Sequence, residues 1–271
     1  MLKWIAALSM LIDHIGFFFY DQIPPQLYEC MRGFGRLAMP LFAFSLAFGF
    51  IHSKNWLKYF LRLFTFAFIS EFAFRKIYEL NNFYYSGINI IFTFSFSLVF
   101  LIALKILINS GYDLLVRMQP IQSGGAQDEN LPFHFRINLG FELSPFFGLI
   151  LGLVFMLISV FCIVYYDTEY GLYGLLMVVA FYILESIEFK NPTLMAYLLI
   201  IVVNLIFQLP GWLGKSTLHN YNSLQWLTVF AVPIYLHRKD EPKPPKWQKY
   251  FFYIFYPAHF VLLGLIRYYF F

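Results

Sequence analysis

The stretch LKWIAALSMLIDHIGFFFY, residues 2–20, decides the fold. It is apolar enough to lie in a membrane, yet it holds Ser9 and an adjacent acid and base, Asp13-His14. An ionised side chain at mid-bilayer costs about 2.5–3.5 kcal/mol on insertion scales, and such residues mark sites or pathways. The composition around this stretch is similar. Of 271 residues, 60% are hydrophobic and 13% charged, with mean hydropathy +0.65. Soluble domains carry about 25% charged residues, so this chain cannot cover itself with polar surface. The fold class expected is all-α, a polytopic membrane helix bundle. No small-residue cleavage site follows the first segment, which therefore reads as a retained helix rather than a signal peptide.

A spanning helix takes about 20 mostly apolar residues. Nine segments meet that pattern, at roughly 2–20, 36–52, 57–76, 88–110, 142–165, 170–187, 193–209, 222–237 and 250–269. Pro24-Pro25, Asn81-Asn82, Asn191-Pro192 and Pro210-Gly211 punctuate them. The chain reads as one membrane domain. Residues 1–110 form a four-helix part, 111–141 a polar, mobile cytoplasmic loop, and 142–271 a five-helix part. With the N-terminus inside, 13 of the 19 Lys and Arg residues fall on the inner side and six on the outer. That asymmetry predicts a cytoplasmic N-terminus. The net charge of +4 is then a topology signal rather than a nucleic-acid footprint. The 36 Phe and 20 Tyr suit lipid-facing and interfacial positions. Cys30 and Cys162 lie too far apart in sequence to suggest a disulfide framework or a metal site.

On this map five helices carry polar groups at similar depth. Asp13 and His14 lie in the outer half of the first, and Arg36 opens the second. Ser70-Glu71 lies in the outer half of the third, Asn89 opens the fourth, and His259 sits near mid-depth in the ninth. If these faces meet, they form an acid–base cavity, with Asp13 facing Arg36 and His14 facing an acceptor. Arg36 has two further readings: a side chain snorkelling to the headgroups, and half of a buried pair with Glu71. His259 also reads as a satisfied core histidine. Phosphate-binding glycine loops, His-Glu-x-x-His and Gly-x-Ser-x-Gly are absent from the sequence.

Leu2 to Gly16 resembles the first helix of the TraX family, and Gly35-Arg36-Leu37-Ala38-Met39-Pro40 resembles its second. Lys58 to Leu63 with Ile69-Ser70-Glu71, Tyr170-Gly171 to Gly174, and Phe252 to His259 are similar to later parts. The resemblance implies a bacterial integral-membrane acyltransferase of the cytoplasmic (inner) membrane. It would move an acetyl or other acyl group from cytoplasmic acetyl-CoA (acyl-CoA) to an amine or hydroxyl at the outer face. A pilin-like protein N-terminus or an envelope carbohydrate would be the acceptor. Such transfer needs a base, an oxyanion donor and water exclusion.

In that chemistry His14 is the base and Asp13 its charge balance. Arg36 binds phosphate or the oxyanion, Glu71 holds Arg36 or positions the acceptor, and His259 is a second base, acid or acyl carrier. Ser9, Asn89 and Tyr256 would contact substrate. Lys54, Lys58, Arg62, Arg238 and Lys239 would hold the nucleotide phosphates. The acyl-pantetheine arm must then reach roughly 15–20 Å into a core of ~30 Å. No metal is expected. Intramembrane acids and bases also build proton-coupled transporters, and a non-catalytic pilus-assembly scaffold is the third reading.

Overall fold

A computed structural model describes residues 1–118, 144–214, 222–237 and 246–271. Ten α-helices occur there: α1 (Leu2–Phe18), α2 (Pro25–Gly35), α3 (Ala38–Ile51), α4 (Trp56–Leu80), α5 (Ile90–Met118), α6 (Pro145–Tyr165), α7 (Gly171–Ser186), α8 (Pro192–Trp212), α9 (Ala231–Leu236) and α10 (Lys246–Phe270). A 3₁₀ segment, Ser223–Phe230, leads into α9. The all-α bundle expected from composition is what forms.

Side-chain caps start several helices. Asn55 accepts from the Lys58 N–H, Ser144 from Phe147 and Asn191 from Leu194. Each satisfies one of the amide donors a helix start leaves unpaired.

By length and apolarity, five stretches among the described residues can cross a membrane. They are Pro25–Ile51, Ile90–Val116, Pro145–Tyr165, Pro192–Trp212 and Tyr250–Phe270. The remaining expected spans are helical but differ in kind. α1 has 17 residues and α7 has 16, α4 carries six charged residues, and residues 222–237 form a 3₁₀ run followed by one short α-helix. The count of nine is therefore not established by these criteria.

Two boundaries move. Residues 25–35, read as a loop, form α2. The supposed loop from 111 is helical as far as Met118, because the apolar pattern of α5 continues through Leu114-Leu115-Val116. The rest of that loop, from 119 to 141, lies outside the described residues.

The break between α2 and α3 positions the site. Pro40 has no N–H to offer the carbonyl of Arg36, and its ring crowds that carbonyl. The chain tightens there into i→i+3 bonds, Arg36 N–H to Gly33 O at 3.1 Å and Leu37 N–H to Phe34 O at 3.2 Å. α2 lies against α1 through small residues: a Cβ on Gly16 would sit 3.2 Å from Met31, and one on Gly35 would overlap Asp13. Small residues let helices approach where no hydrophobic force separates protein from lipid. α10 packs on α4 and α1, α3 on α7 and α1, and α6 along α5 through Gly148 and Gly152. α7, α8 and the 3₁₀ segment are tied by a buried triad. Tyr173 donates to Asn204 at 3.3 Å, and the Asn204 amide donates to Thr228 at 3.1 Å.

Candidate functional site

His14 and His259 meet. His14 Nδ1 lies 2.7 Å from His259 Nε2, with ring planes 3° apart and centroids 4.9 Å apart. The rings lie edge to edge in one plane, as an N–H···N bond requires. His259 Nδ1 lies 2.7 Å from the Phe255 carbonyl oxygen. A carbonyl only accepts, so His259 Nδ1 carries hydrogen. With both rings neutral, His259 Nε2 must accept, His14 Nδ1 must donate, and His14 Nε2 keeps its lone pair. Phe260 packs edge-on to His14 at 5.2 Å, and Phe255 stacks on His259 at 4.8 Å. The ring pair is thereby held in orientation.

Asp13 points elsewhere, as neighbours about 100° apart on a helix must. Its Oδ2 accepts from Arg32 Nη1 at 2.7 Å, whereas Arg36 Nη2 stands 3.9 Å from Oδ1. Asp13 thus faces Arg36 as expected, but at the longer distance, and Arg32 is its close partner. Arg32 was legible, since residues 32 and 36 share one face of a helical turn. Arg36 donates through Nε to the Arg32 carbonyl at 3.2 Å, and through Nη1 to Tyr170 Oη at 3.3 Å and Gln225 Oε1 at 3.4 Å. Asp13 Oδ1 has no hydrogen-bond partner and lies against Gly35.

The expected Arg36–Glu71 pair does not form. Glu71 Oε1 pairs with Arg75 at 2.8 Å. Its Oε2 accepts from the Asn89 amide N–H and side chain, both at 2.9 Å, and from Tyr85 at 3.2 Å. Arg75 lies four residues along the same helix face and reaches Glu71 first. Asn89 also donates to the Ala67 carbonyl at 2.9 Å. Glu71 and Asn89 therefore pin the start of α5 to α4, and neither lines a cavity described below. Ser9 is fully buried and donates to the Phe34 carbonyl at 2.6 Å, a tie between α1 and α2 rather than a surface open to substrate.

Two cavities converge on this core. The larger, about 500 Å³, runs from Lys3, Ser53, Arg62 and Gln248 to Asp13, His14, Glu169 and Tyr170. Lys3 and Asp13 are ten residues apart on α1, about 15 Å at 1.5 Å per residue. Its wall is mostly apolar, with Met10, Met39, Phe42, Leu46, Phe94 and Phe252 among the lining, and Tyr256 contributes to it. Arg62 sits between Tyr59 and Tyr253, 5.2 and 5.5 Å from their ring centroids, and donates to Tyr253 Oη at 3.3 Å. Lys54 and Lys58 are exposed and do not line it. Arg238 and Lys239 lie outside the described residues.

The smaller cavity, about 260 Å³, is lined by Arg32, Arg36, Tyr78, Tyr173, Asn222 and Gln225. Asp13, His14, Glu169 and Tyr170 line both cavities and so form the wall between them.

Glu169 and Tyr170 were not among the expected site residues. They sit on the short turn between α6 and α7, where sequence shows only an acid beside an aromatic. The turn is strained at two non-glycine residues, with φ of 47° at Asp167 and 61° at Tyr170, and Gly171 follows at 41°, which glycine adopts freely. It is clamped by the Glu169 N–H to the Ile88 carbonyl at 2.8 Å and by Thr93 Oγ1 to the Glu169 carbonyl at 2.5 Å. The Glu169 side chain is exposed to the space of the cavities, with protein packed around that space. That enclosure, and secondly the Asp13 carboxylate, push it up to about 7.

Comparison with known proteins places this arrangement. The chain is similar to a protein named probable fimbrial assembly protein FimC, serogroup H1, from Dichelobacter nodosus: 28% identical over 276 residues, 97% of this chain and 92% of that protein. No solved structure matches. The family model described as TraX protein matches residues 1–111 and 147–267, and the chain belongs to the TraX family of membrane proteins.

Proposed function

We propose that this protein is an acyltransferase of the bacterial cytoplasmic membrane. It would take an acyl group from cytoplasmic acyl-CoA and pass it to an amine or hydroxyl at the outer face. One observation carries the reading: two cavities share four lining residues, and one of them is a histidine whose Nε2 keeps its lone pair. With the N-terminus inside, the 500 Å³ cavity opens toward the cytoplasm. Its length of about 15 Å suits an extended pantetheine arm. Among the described residues, Arg62 and Lys3 are the Lys and Arg side chains that line this cavity, and they would face the nucleotide phosphates. The polar 260 Å³ cavity receives the acceptor.

In the reaction His14 Nε2 takes the proton of the attacking amine or hydroxyl, while His259 holds the reactive tautomer. The Arg36 guanidinium, held by bonds and contacts of 3.2–3.9 Å, is placed to donate to the oxyanion. The relative's name, fimbrial assembly, favours a pilin-like N-terminus as acceptor.

Sealed vesicles test the reading. Labelled acetyl-CoA is supplied on the cytoplasmic side alone, and label on acceptors of the opposite face is measured. Label that requires both the protein and His14 supports the proposal. No transfer, with His14→Ala indistinguishable from wild type, returns the weight to a scaffold in fimbrial assembly.

A further inference from the structure

Acyl transfer moves two protons: one leaves the nucleophile, and one must reach the departing thiolate. We propose that Glu169 is the second proton-handling residue, the acid that protonates the leaving sulfur. The inference rests on the acyltransferase reading.

Four side chains line both cavities. Asp13 is engaged by Arg32 at 2.7 Å, and the Tyr170 oxygen accepts from Arg36 at 3.3 Å. His14 and Glu169 remain. Glu169 Oε2 takes only a long bond from the Ile90 N–H, 3.3 Å, and no protein donor to Oε1 appears among the described residues. Its backbone is fixed at both N–H and C=O, on a turn where Asp167 and Tyr170 hold positive φ, and strain of this kind collects at functional sites.

The groups bearing on its titration are Asp13 from α1, Arg32 from α2, Arg36 from the α2–α3 break, and the Ile90 N–H at the start of α5. Tyr78 of α4, Tyr85, Tyr256 of α10 and its neighbour Tyr170 feel its charge in turn. With a value of about 7, Glu169 carries a transferable proton at neutral pH, where a free Glu, near 4.3, does not.

The step balances. The acceptor's proton passes to His14 Nε2 as its N or O bonds to the acyl carbon. The carbon–sulfur bond breaks, and the thiolate takes the Glu169 proton. Protonated His14 then returns its proton to the Glu169 carboxylate through the cavity. Thioester plus acceptor become acyl product plus thiol, and the protein is restored.

The test uses full-length protein in nanodiscs with cell-envelope extract as acceptor. Glu169→Gln keeps the shape and the Ile90 contact, and its unfolding midpoint is checked against wild type. Two donors are compared, acetyl-CoA and S-acetyl-4-nitrothiophenol, whose thiolate leaves without an acid. With acetyl-CoA, Glu169→Gln should lose about 100-fold or more, the usual scale of acid catalysis. It should also lose the alkaline fall in rate near pH 7 that wild type shows as its acid deprotonates. With the aryl thioester the deficit should shrink to a few-fold. An equal loss with both donors, or none with either, overturns the role of Glu169 while leaving the acyltransferase reading intact. Absence of His14-dependent turnover in wild type overturns both.

Discussion

Gly35→Ala is the sharpest structural test, because a single methyl meets the polar core. A Cβ at Gly35 would fall 2.2 Å from Asp13 Oδ1, 2.4 Å from its Cβ and 2.5 Å from its Cγ. The two carbon distances are about 1 Å or more inside ordinary contact, about 3.5–4.0 Å for carbon pairs, and the oxygen is closer still. Asp13 has little room to swing away, since Arg32 holds Oδ2 at 2.7 Å. The cheaper response is for α2 to back off α1, which carries Arg32 away with it. Overpacking alone costs about 1–3 kcal/mol, and breaking a buried ion pair about 3–5 kcal/mol. About 1–3 kcal/mol is expected if α2 yields while keeping the Arg32 pair, and about 4–8 kcal/mol if the pair breaks as well. A shift of about 1 Å in the Asp13-His14 turn also lowers turnover about 100-fold. The assays are thermal unfolding in nanodiscs and acetyl-CoA-dependent thiol release. Gly33→Ala is the control, because its Cβ meets only the tip of Leu227 at 2.8 Å, which can rotate. Equal effects of the two substitutions, or a wild-type melting point and rate for Gly35→Ala, would refute the reasoning.

Other substitutions separate the parts of the site. His259→Ala should lower kcat by about 100- to 1,000-fold with KM nearly unchanged, because it frees the His14 tautomer without touching either cavity mouth; steady-state kinetics check this. Glu71→Gln should destabilise the bundle by about 1–3 kcal/mol, through its lost pair with Arg75 and weakened bonds to Asn89, while kcat below the melting point stays near wild type. Arg62→Ala should raise the KM for acetyl-CoA with little change in kcat; an unchanged KM removes Arg62 from the nucleotide site. Asp21 accepts two bonds from Arg267, at 2.7 and 2.9 Å, and that bonding holds its carboxyl below the usual carboxylate range. The stability this pair adds is present above the unfolded value near 3.9 and is lost as pH falls through the lower folded value. The melting-point gap between wild type and Asp21→Asn should therefore be present at pH 7 and close as pH falls below the usual carboxylate range.

Sequence carried the fold class and the centre of the site for one reason: an ionisable pair in an apolar helix is costly and shows itself. Asp13-His14 and His259 were visible as polar residues in apolar spans, and they do come together with Arg36. The misassignments have physical causes. Glu71 and Asn89 were as conspicuous in depth as His14, but depth alone does not say which way a side chain turns on its helix, and they satisfy each other on α4 and α5 away from the cavities. α2 reads as a loop because Pro24-Pro25 looks like punctuation, although proline favours a helix start; its Gly35 serves close packing against α1. Glu169 and Tyr170 were hidden because acids and tyrosines are ordinary in interhelical turns. Only the fold carries that turn back onto the start of α5 and into the wall between the cavities.

The central claim, acyl transfer with His14 as base, is tested most directly by thiol release from acetyl-CoA. Purified protein in nanodiscs is given cell-envelope extract, and wild type is compared with His14→Ala. The account predicts thiol release that needs both the extract and His14, with at least a 100-fold loss in the variant. Release that continues unchanged in His14→Ala, or no release and no binding of acetyl-CoA by wild type, would contradict it.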